Sequence, residues 1–271
     1  MIFRNANDFC YDNQYLSDYG FIIAEFGAID TETINQGSDI VLSTVPINHG
    51  SKYLKSASSY EGVITSDFRI MKSPESDSYV ITDDEYRDIV RWLNRKDYCT
   101  LHFIYDSDEE TVTCFYDATF NVSQVYDNLR RLVALDLSMT TNRPFGYGQK
   151  QSYKMTFSGN GEERKLTDIS DEIGLTVPDM QIKINRDGDL TMENITTESA
   201  LVIKNCIYGE TITINGDMKI ISTDSAEHRK TIANDFNYEF LTIGNTIDNR
   251  FNRFIASIPC EVTISYHPVV K

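Results

Sequence analysis

Hydrophobic and polar positions change period along this chain. Between Thr82 and Asn94, the apolar residues Tyr86, Ile89, Val90 and Leu93 fall at i, i+3, i+4 and i+7, one face of a helix. Thr82-Asp83-Asp84-Glu85 opens this stretch and fits a capping box. In that arrangement the Thr hydroxyl and the Glu carboxylate satisfy two N–H groups that have no helical partner. Asp83 and Asp84 lie at the positive end of the helix dipole, which favours them. The helix is predicted to stop near Asn94, with Trp92 at the edge of the buried face.

Elsewhere the period is two. YCTLHFIY and TVTCFYDATF read as strands on either side of the acidic stretch DSDEE. Over Arg131 to Thr141, Leu135, Leu137 and Met139 alternate with Asp136 and Ser138, giving one apolar and one polar face. Asn142-Arg143-Pro144-Phe145-Gly146-Tyr147-Gly148 interrupts any regular element. A domain boundary is placed there, separating residues 1–147 from 148–271.

The second half reads as a series of short strands. Ile182 and Ile184 alternate before Asp187-Gly188, and Leu190 and Met192 resume beyond it. Leu201 and Ile203 precede Asn205. Ile212 and Ile214 precede Asn215-Gly216, and Met218 and Ile220 follow. Asp-Gly and Asn-Gly are hairpin dipeptides, and a type I′ turn at Asn215-Gly216 requires positive φ at Gly216. Val262 to Tyr266 is the expected last strand. Turn signals about every ten residues predict an antiparallel sandwich or jelly roll. The fold class expected is mainly β: an α+β N-terminal domain with one helix, followed by a β-sandwich.

Composition narrows the function classes. The chain has 271 residues, 41% hydrophobic and 24% charged, which is a folded rather than a disordered composition. No run of eighteen apolar residues occurs, so no membrane insertion is expected. The N-terminal stretch lacks the apolar core of a signal peptide. The formal net charge of -16 opposes phosphate, so no specific nucleic-acid recognition is expected. Cys10, Cys99, Cys114, Cys206 and Cys260 are widely spaced without a C-x-x-C. Buried free thiols in a reducing cytoplasm fit this better than disulfides or zinc.

Candidate chemistry is sparse. His49, His102, His228 and His267 stand apart from one another and are read as structural. Neither a nucleophile elbow nor a P-loop is present, and Gly159-Asn160-Gly161 is a turn between strands. Asn185-Arg186-Asp187-Gly188-Asp189 faintly resembles a calcium loop, but Leu190 stands where the loop needs Gly. Asp106, Asp108, Glu109 and Glu110 offer carboxylates for glycan hydrolysis, yet they crowd one solvated turn where pKa values are hard to raise. Tyr153, Tyr208, Tyr238 and Tyr266 are the aromatic candidates for a sugar platform, in a half without Trp. No catalytic, cofactor-binding or metal-ligating residue is assigned, no cofactor is expected, and the ligand-binding residues stay open.

Taken in order, several segments resemble the distal tail protein (Dit) family of long-tailed, non-contractile bacteriophages. They are DYGFIIAEF, TVPINHGSKYL, SDFRIMK, the helix ITDDEYRDIVRWLN, and the strand end TTNRPFGYG. GETITING and FNYEFLTIGNTIDNRF continue the series in the second half. The resemblance covers nearly the whole chain. It departs in lacking a Trp in the second half, which counts against sugar binding there.

The resemblance implies a tail-tube-like, ring-forming domain over 1–147 and an outward galectin-like, carbohydrate-module-like sandwich over 148–271. It implies a non-enzymatic structural protein of the virion, at the tail tip or baseplate, assembled in the host cytoplasm. The implied partners are a homo-hexamer in a single or double ring, the tail tube protein, the tail-associated lysin or baseplate hub, and receptor-binding proteins. DNA would pass through the lumen. The competing expectation is a receptor module attaching to host cell-wall polysaccharide.

Overall fold

The computed structural model describes residues 6–24, 39–46, 52–105, 114–246 and 249–270. His49, Asp106, Asp108, Glu109 and Glu110 lie outside the described residues, as do Glu25, Phe26, residues 47–51 and Ile247. The chain divides into two compact units, Met1–Gly148 and Gln149–Lys271.

Unit 1 contains β1 (Ala6–Tyr11), β2 (Gln14–Tyr15), β3 (Phe21–Ala24), β4 (Asp39–Pro46), β5 (Lys52–Glu61) and β6 (Thr65–Lys72). α1 (Asp83–Leu93), β7 (Cys99–Tyr105), β8 (Tyr116–Tyr126), β9 (Leu132–Thr141) and β10 (Gly146–Tyr147) follow. Seven strands form one antiparallel sheet in the order β2-β1-β7-β8-β9-β6-β3. β4 and β5 form a separate antiparallel ladder. β1 went unread in the sequence, because its apolar residues Phe9, Cys10 and Tyr11 run consecutively rather than alternating.

The capping box forms as its residue types require. The Thr82 amide donates to Glu85 Oε2 at 2.7 Å, and Glu85 N–H donates to Thr82 Oγ1 at 3.3 Å. Lys72 Nζ reaches Glu85 Oε1 at 2.7 Å and ties this helix end to β6. Burial pushes the Glu85 carboxyl up, but the bonds from Lys72 and Thr82 outweigh it and hold its pKa below the ordinary value.

Trp92 corrects the sequence expectation. It is 2% exposed, at the centre of the buried face rather than its edge. Its ring stacks on Tyr19 at 4.6 Å and on Phe9 at 5.5 Å, and its Nε1–H donates to Tyr11 O at 2.9 Å. An indole is buried cheaply only when its N–H has a partner, and the β1 backbone supplies one.

Unit 2 contains β11 (Gln151–Ser158), β12 (Arg164–Thr167), β13 (Gly174–Thr176), β14 (Asp179–Ile184), β15 (Gly188–Asn194) and β16 (Ser199–Cys206). β17 (Thr211–Asn215), β18 (Ile220–Thr223), α2 (Ile232–Asp235), β19 (Ile243–Asn245), β20 (Phe251–Ala256), β21 (Pro259–Tyr266) and β22 (Val269–Val270) complete it. A five-stranded sheet, β11-β21-β14-β17-β18, faces a four-stranded sheet, β12-β20-β15-β16, across one apolar core. Met180, Ile182, Ile212, Ile214, Val262 and Ile264 come from the first sheet and Leu190, Met192, Leu201, Ile203 and Phe254 from the second. The expected fold class holds: a mainly β chain, with a one-helix sheet domain before a β-sandwich.

Two turn expectations are corrected. Asp187-Gly188 does not close a hairpin, because β14 pairs with β17 and β21 while β15 pairs with β16 and β20. The connection crosses between sheets, and Gly188 at φ 139 lets it do so. Between β17 and β18 the hairpin exists, but Asn215 pairs with Ile220, so the loop is Gly216 to Lys219 rather than two residues. The positive φ falls at Lys219, 54°, not at Gly216.

Gly216 is needed for a different reason. A Cβ there would press on Val177 O and lie 2.7 Å from the carbonyl carbon and oxygen of Pro178. Gly216→Val is therefore expected to destabilise unit 2 by about 1–3 kcal/mol, the scale of overpacking. Lys219→Gly, which relieves a left-handed side chain, should be neutral or stabilising. Thermal unfolding of the two variants checks both signs. The opposite ranking would restore the two-residue turn.

Candidate functional site

The sheet of unit 1 has one face under α1 and one without it. Phe120, Leu137, Met139 and Ile70 belong to the covered face and are buried. Strand periodicity puts their neighbours on the other. Register aligns these neighbours in three rows: Thr119-Thr140-Thr65, Asn121-Ser138-Asp67 and Ser123-Asp136-Arg69. Arg69 Nε reaches Asp136 Oδ1 at 2.5 Å, and the Ser138 hydroxyl donates to Asp67 Oδ1 at 2.5 Å. These three rows are polar, and their one cation, Arg69, is paired to a carboxylate, while the next row on the same face, Val125-Ala134-Met71, is apolar. Asp136 and Ser138 were legible as polar positions in the alternation over Arg131 to Thr141.

The β4–β5 ladder pairs with no other strand among the described residues. An isolated two-stranded ladder is marginal in water. At the sheet ends, β2 and β3 each leave one edge without a strand partner among the described residues.

Unit 2 buries a polar cluster that the sequence did not reveal. Glu210 accepts from Ile207 N–H at 2.7 Å and from the Thr223 hydroxyl at 2.7 Å. His228 Nδ1 lies 2.9 Å from both Glu210 carboxylate oxygens. His228 Nε2 lies 3.6 Å from Asp235 Oδ2, beyond hydrogen-bonding range. His228 is buried, and its partners stand 18 residues back and on α2, separations that no local motif marks.

The remaining candidates distribute plainly. Burial lowers the pKa of His102, whose ring meets Phe115 edge-on at 5.3 Å. Burial pushes the Cys206 and Cys260 thiols up to about 12, as inert core thiols require. Asp187 Oδ1 accepts from Tyr208 N–H at 2.5 Å and Asp189 Oδ1 from Asn205 N–H at 2.9 Å, so these carboxylates hold loops. Of the four tyrosines, Tyr153 and Tyr266 stack on each other at 6.4 Å against the core. Tyr208 and Tyr238 are 69% and 61% exposed. Asn245 Nδ2 donates to Ser170 O at 2.7 Å, which gives the GNTI segment a role in anchoring a loop.

A family model described as phage tail protein N-terminal domain matches residues 4–143, and one described as phage tail C-terminal domain matches residues 145–266. Comparison by sequence with curated proteins finds no match. The fold is similar to the crystal structure of SPP1 Dit (gp 19.1), described as a paradigm of the hub adsorption apparatus in Gram-positive infecting phages. That similarity has a TM-score of 0.61 at 12% identity, covering 96% of this chain and 98% of that one. A chain of the phage p2 baseplate in its activated conformation with Sr gives a TM-score of 0.46 at 10% identity, covering 96% of this chain and 97% of that one. The Dit-like fold expected from the sequence is thereby borne out.

Proposed function

Because the chain belongs to this family of phage tail proteins, we propose that it is the structural ring joining the tail tube to the baseplate and lysin. The single observation that carries the ring is the β4–β5 ladder, which has no strand partner in its own chain among the described residues. A neighbouring copy supplies the missing contact. Identical copies joined head to tail close into a ring when the rotation permits, and six is the number that the Dit likeness implies. Pairing also covers strand edges that would otherwise invite aggregation.

The helix-free face of the unit 1 sheet lines the lumen in this reading. Three of its rows carry hydroxyls, amides and carboxylates, and Arg69 is neutralised by Asp136. DNA slides past such a surface without the phosphate contacts that make it stick. The role is structural rather than catalytic.

Native mass measurement of the full chain, alone and with the tube and lysin proteins, tests the ring. A hexamer or dodecamer is expected, lost when residues 39–61 are deleted while unit 1 keeps its far-UV signal. A monomer under every condition overturns the reading.

A further inference from the structure

Two Asn-Gly pairs occur in the chain, Asn160-Gly161 and Asn215-Gly216. Such a pair can react with itself. The Gly nitrogen attacks the side-chain carbonyl carbon of the Asn and closes a five-membered succinimide. Glycine has no Cβ to obstruct that approach. The fold must then leave the Gly N–H uncommitted, the Asn side chain able to swing over it, and room for the new ring.

Asn215-Gly216 meets none of these conditions. Gly216 N–H donates to the carboxylate oxygen Asp179 Oδ1 at 3.0 Å. Asn215 Oδ1 accepts from Met218 N–H at 2.7 Å, so its side chain is committed to the loop. Gly216 is buried, with Val177 O and the Pro178 carbonyl packed where a Cβ would lie. Asn215 is itself the last residue of β17 and is paired with Ile220.

Asn160-Gly161 differs on every count. Both residues are exposed, in the turn between β11 and β12. Among the described residues, neither the Asn160 side chain nor Gly161 N–H has a hydrogen-bond partner. A Cβ on Gly161 would meet nothing within 4 Å, so the ring has room. The flanks of the turn are nevertheless held. Gly159 packs against Ile258 and Pro259, and Arg164 Nε donates to Thr156 O at 2.8 Å. A change of backbone at Asn160 therefore breaks no bond of either sheet.

We propose that Asn160 is a site of self-modification in the folded protein, and that the fold shields Asn215 from the same reaction. Hydroxide from solvent takes the Gly161 amide proton as the nitrogen attacks Asn160 Cγ. The N–Cγ bond forms and the Cγ–Nδ2 bond breaks, and Nδ2 leaves as ammonia with a proton from water. Water then opens the succinimide at either carbonyl and gives aspartate or isoaspartate. Nothing is oxidised or reduced. Each event replaces a neutral amide by a carboxylate beside Glu162 and Glu163, in a chain already at net charge -16.

Incubation of the folded full chain at mildly alkaline pH, sampled over days, tests the site. Tryptic peptides Met155–Arg164 and Asn205–Lys219 carry the two pairs separately. A gain of a single mass unit is expected at Asn160, together with labelling by an isoaspartate-specific methyltransferase. Asn215 should react at least about tenfold more slowly, the rate equivalent of breaking a hydrogen bond to a charged group. In concentrated urea the two rates should converge, because the fold alone separates them. Asn160→Gln should remove the more acidic form that accumulates in the folded chain. Equal rates in the folded chain, or a faster reaction at Asn215, overturn the proposal. So does a difference that persists in urea, or an Asn160 that stays intact in the folded chain while both sites react in urea.

Discussion

Trp92→Ala is expected to destabilise unit 1 by about 3–5 kcal/mol, the cost of emptying a large aromatic site in a packed core. The ring is shared between α1 and the sheet. It stacks on Tyr19 and Phe9, and Phe9 in turn stacks on Phe120 at 5.7 Å. Removing it leaves a cavity on both sides of the helix–sheet interface and strands Tyr11 O without its donor. Trp92→Phe should recover most of the loss, because a ring refills the gap while only the Nε1–H bond, about 1 kcal/mol, is missing. Urea unfolding followed by far-UV circular dichroism reads both variants. An unchanged midpoint for Trp92→Ala would mean that α1 is not held by this ring.

Glu210→Ala is expected to cost unit 2 about 3–5 kcal/mol, since it leaves several buried hydrogen-bonding groups without their partner at about 1–3 kcal/mol each. Three donors converge on that carboxylate: Ile207 N–H, the Thr223 hydroxyl and His228 Nδ1. They belong to the loop after β16, the end of β18 and the turn leading into α2, so one side chain joins three segments. Glu210→Gln keeps the shape and an acceptor oxygen, and should cost less. Trp92, the only Trp, lies in unit 1. Calorimetry is therefore the suitable measurement, and a thermogram identical to that of the unaltered protein would refute the role assigned to Glu210.

Local chemistry alone makes α1 legible in the sequence. Thr82 and Glu85 are three residues apart, and the reciprocal bonds they make depend on nothing distant. Alternation makes the buried and exposed faces of β9, β14, β17 and β21 legible in the same way. The outer face of the five-stranded sheet in unit 2 is readable as polar positions in these strands, since Gln181, Thr213 and Thr263 alternate with core isoleucines and valines. What alternation cannot supply is their adjacency, because β14, β17 and β21 are far apart in the chain.

Sequence by itself determined the capped helix, the two-residue rhythm of the strands, the acidic balance and the resemblance to tail proteins, because each rests on neighbours along the chain. Tertiary structure alone decided three things. It placed Asp187-Gly188 between sheets, since strand partners are chosen by long-range pairing rather than by turn dipeptides. It made Gly216 necessary through the approach of Pro178, a backbone contact that no turn type implies. It gathered Glu210, His228 and Asp235 into one buried cluster, since a buried polar group must find its partners wherever the fold brings them.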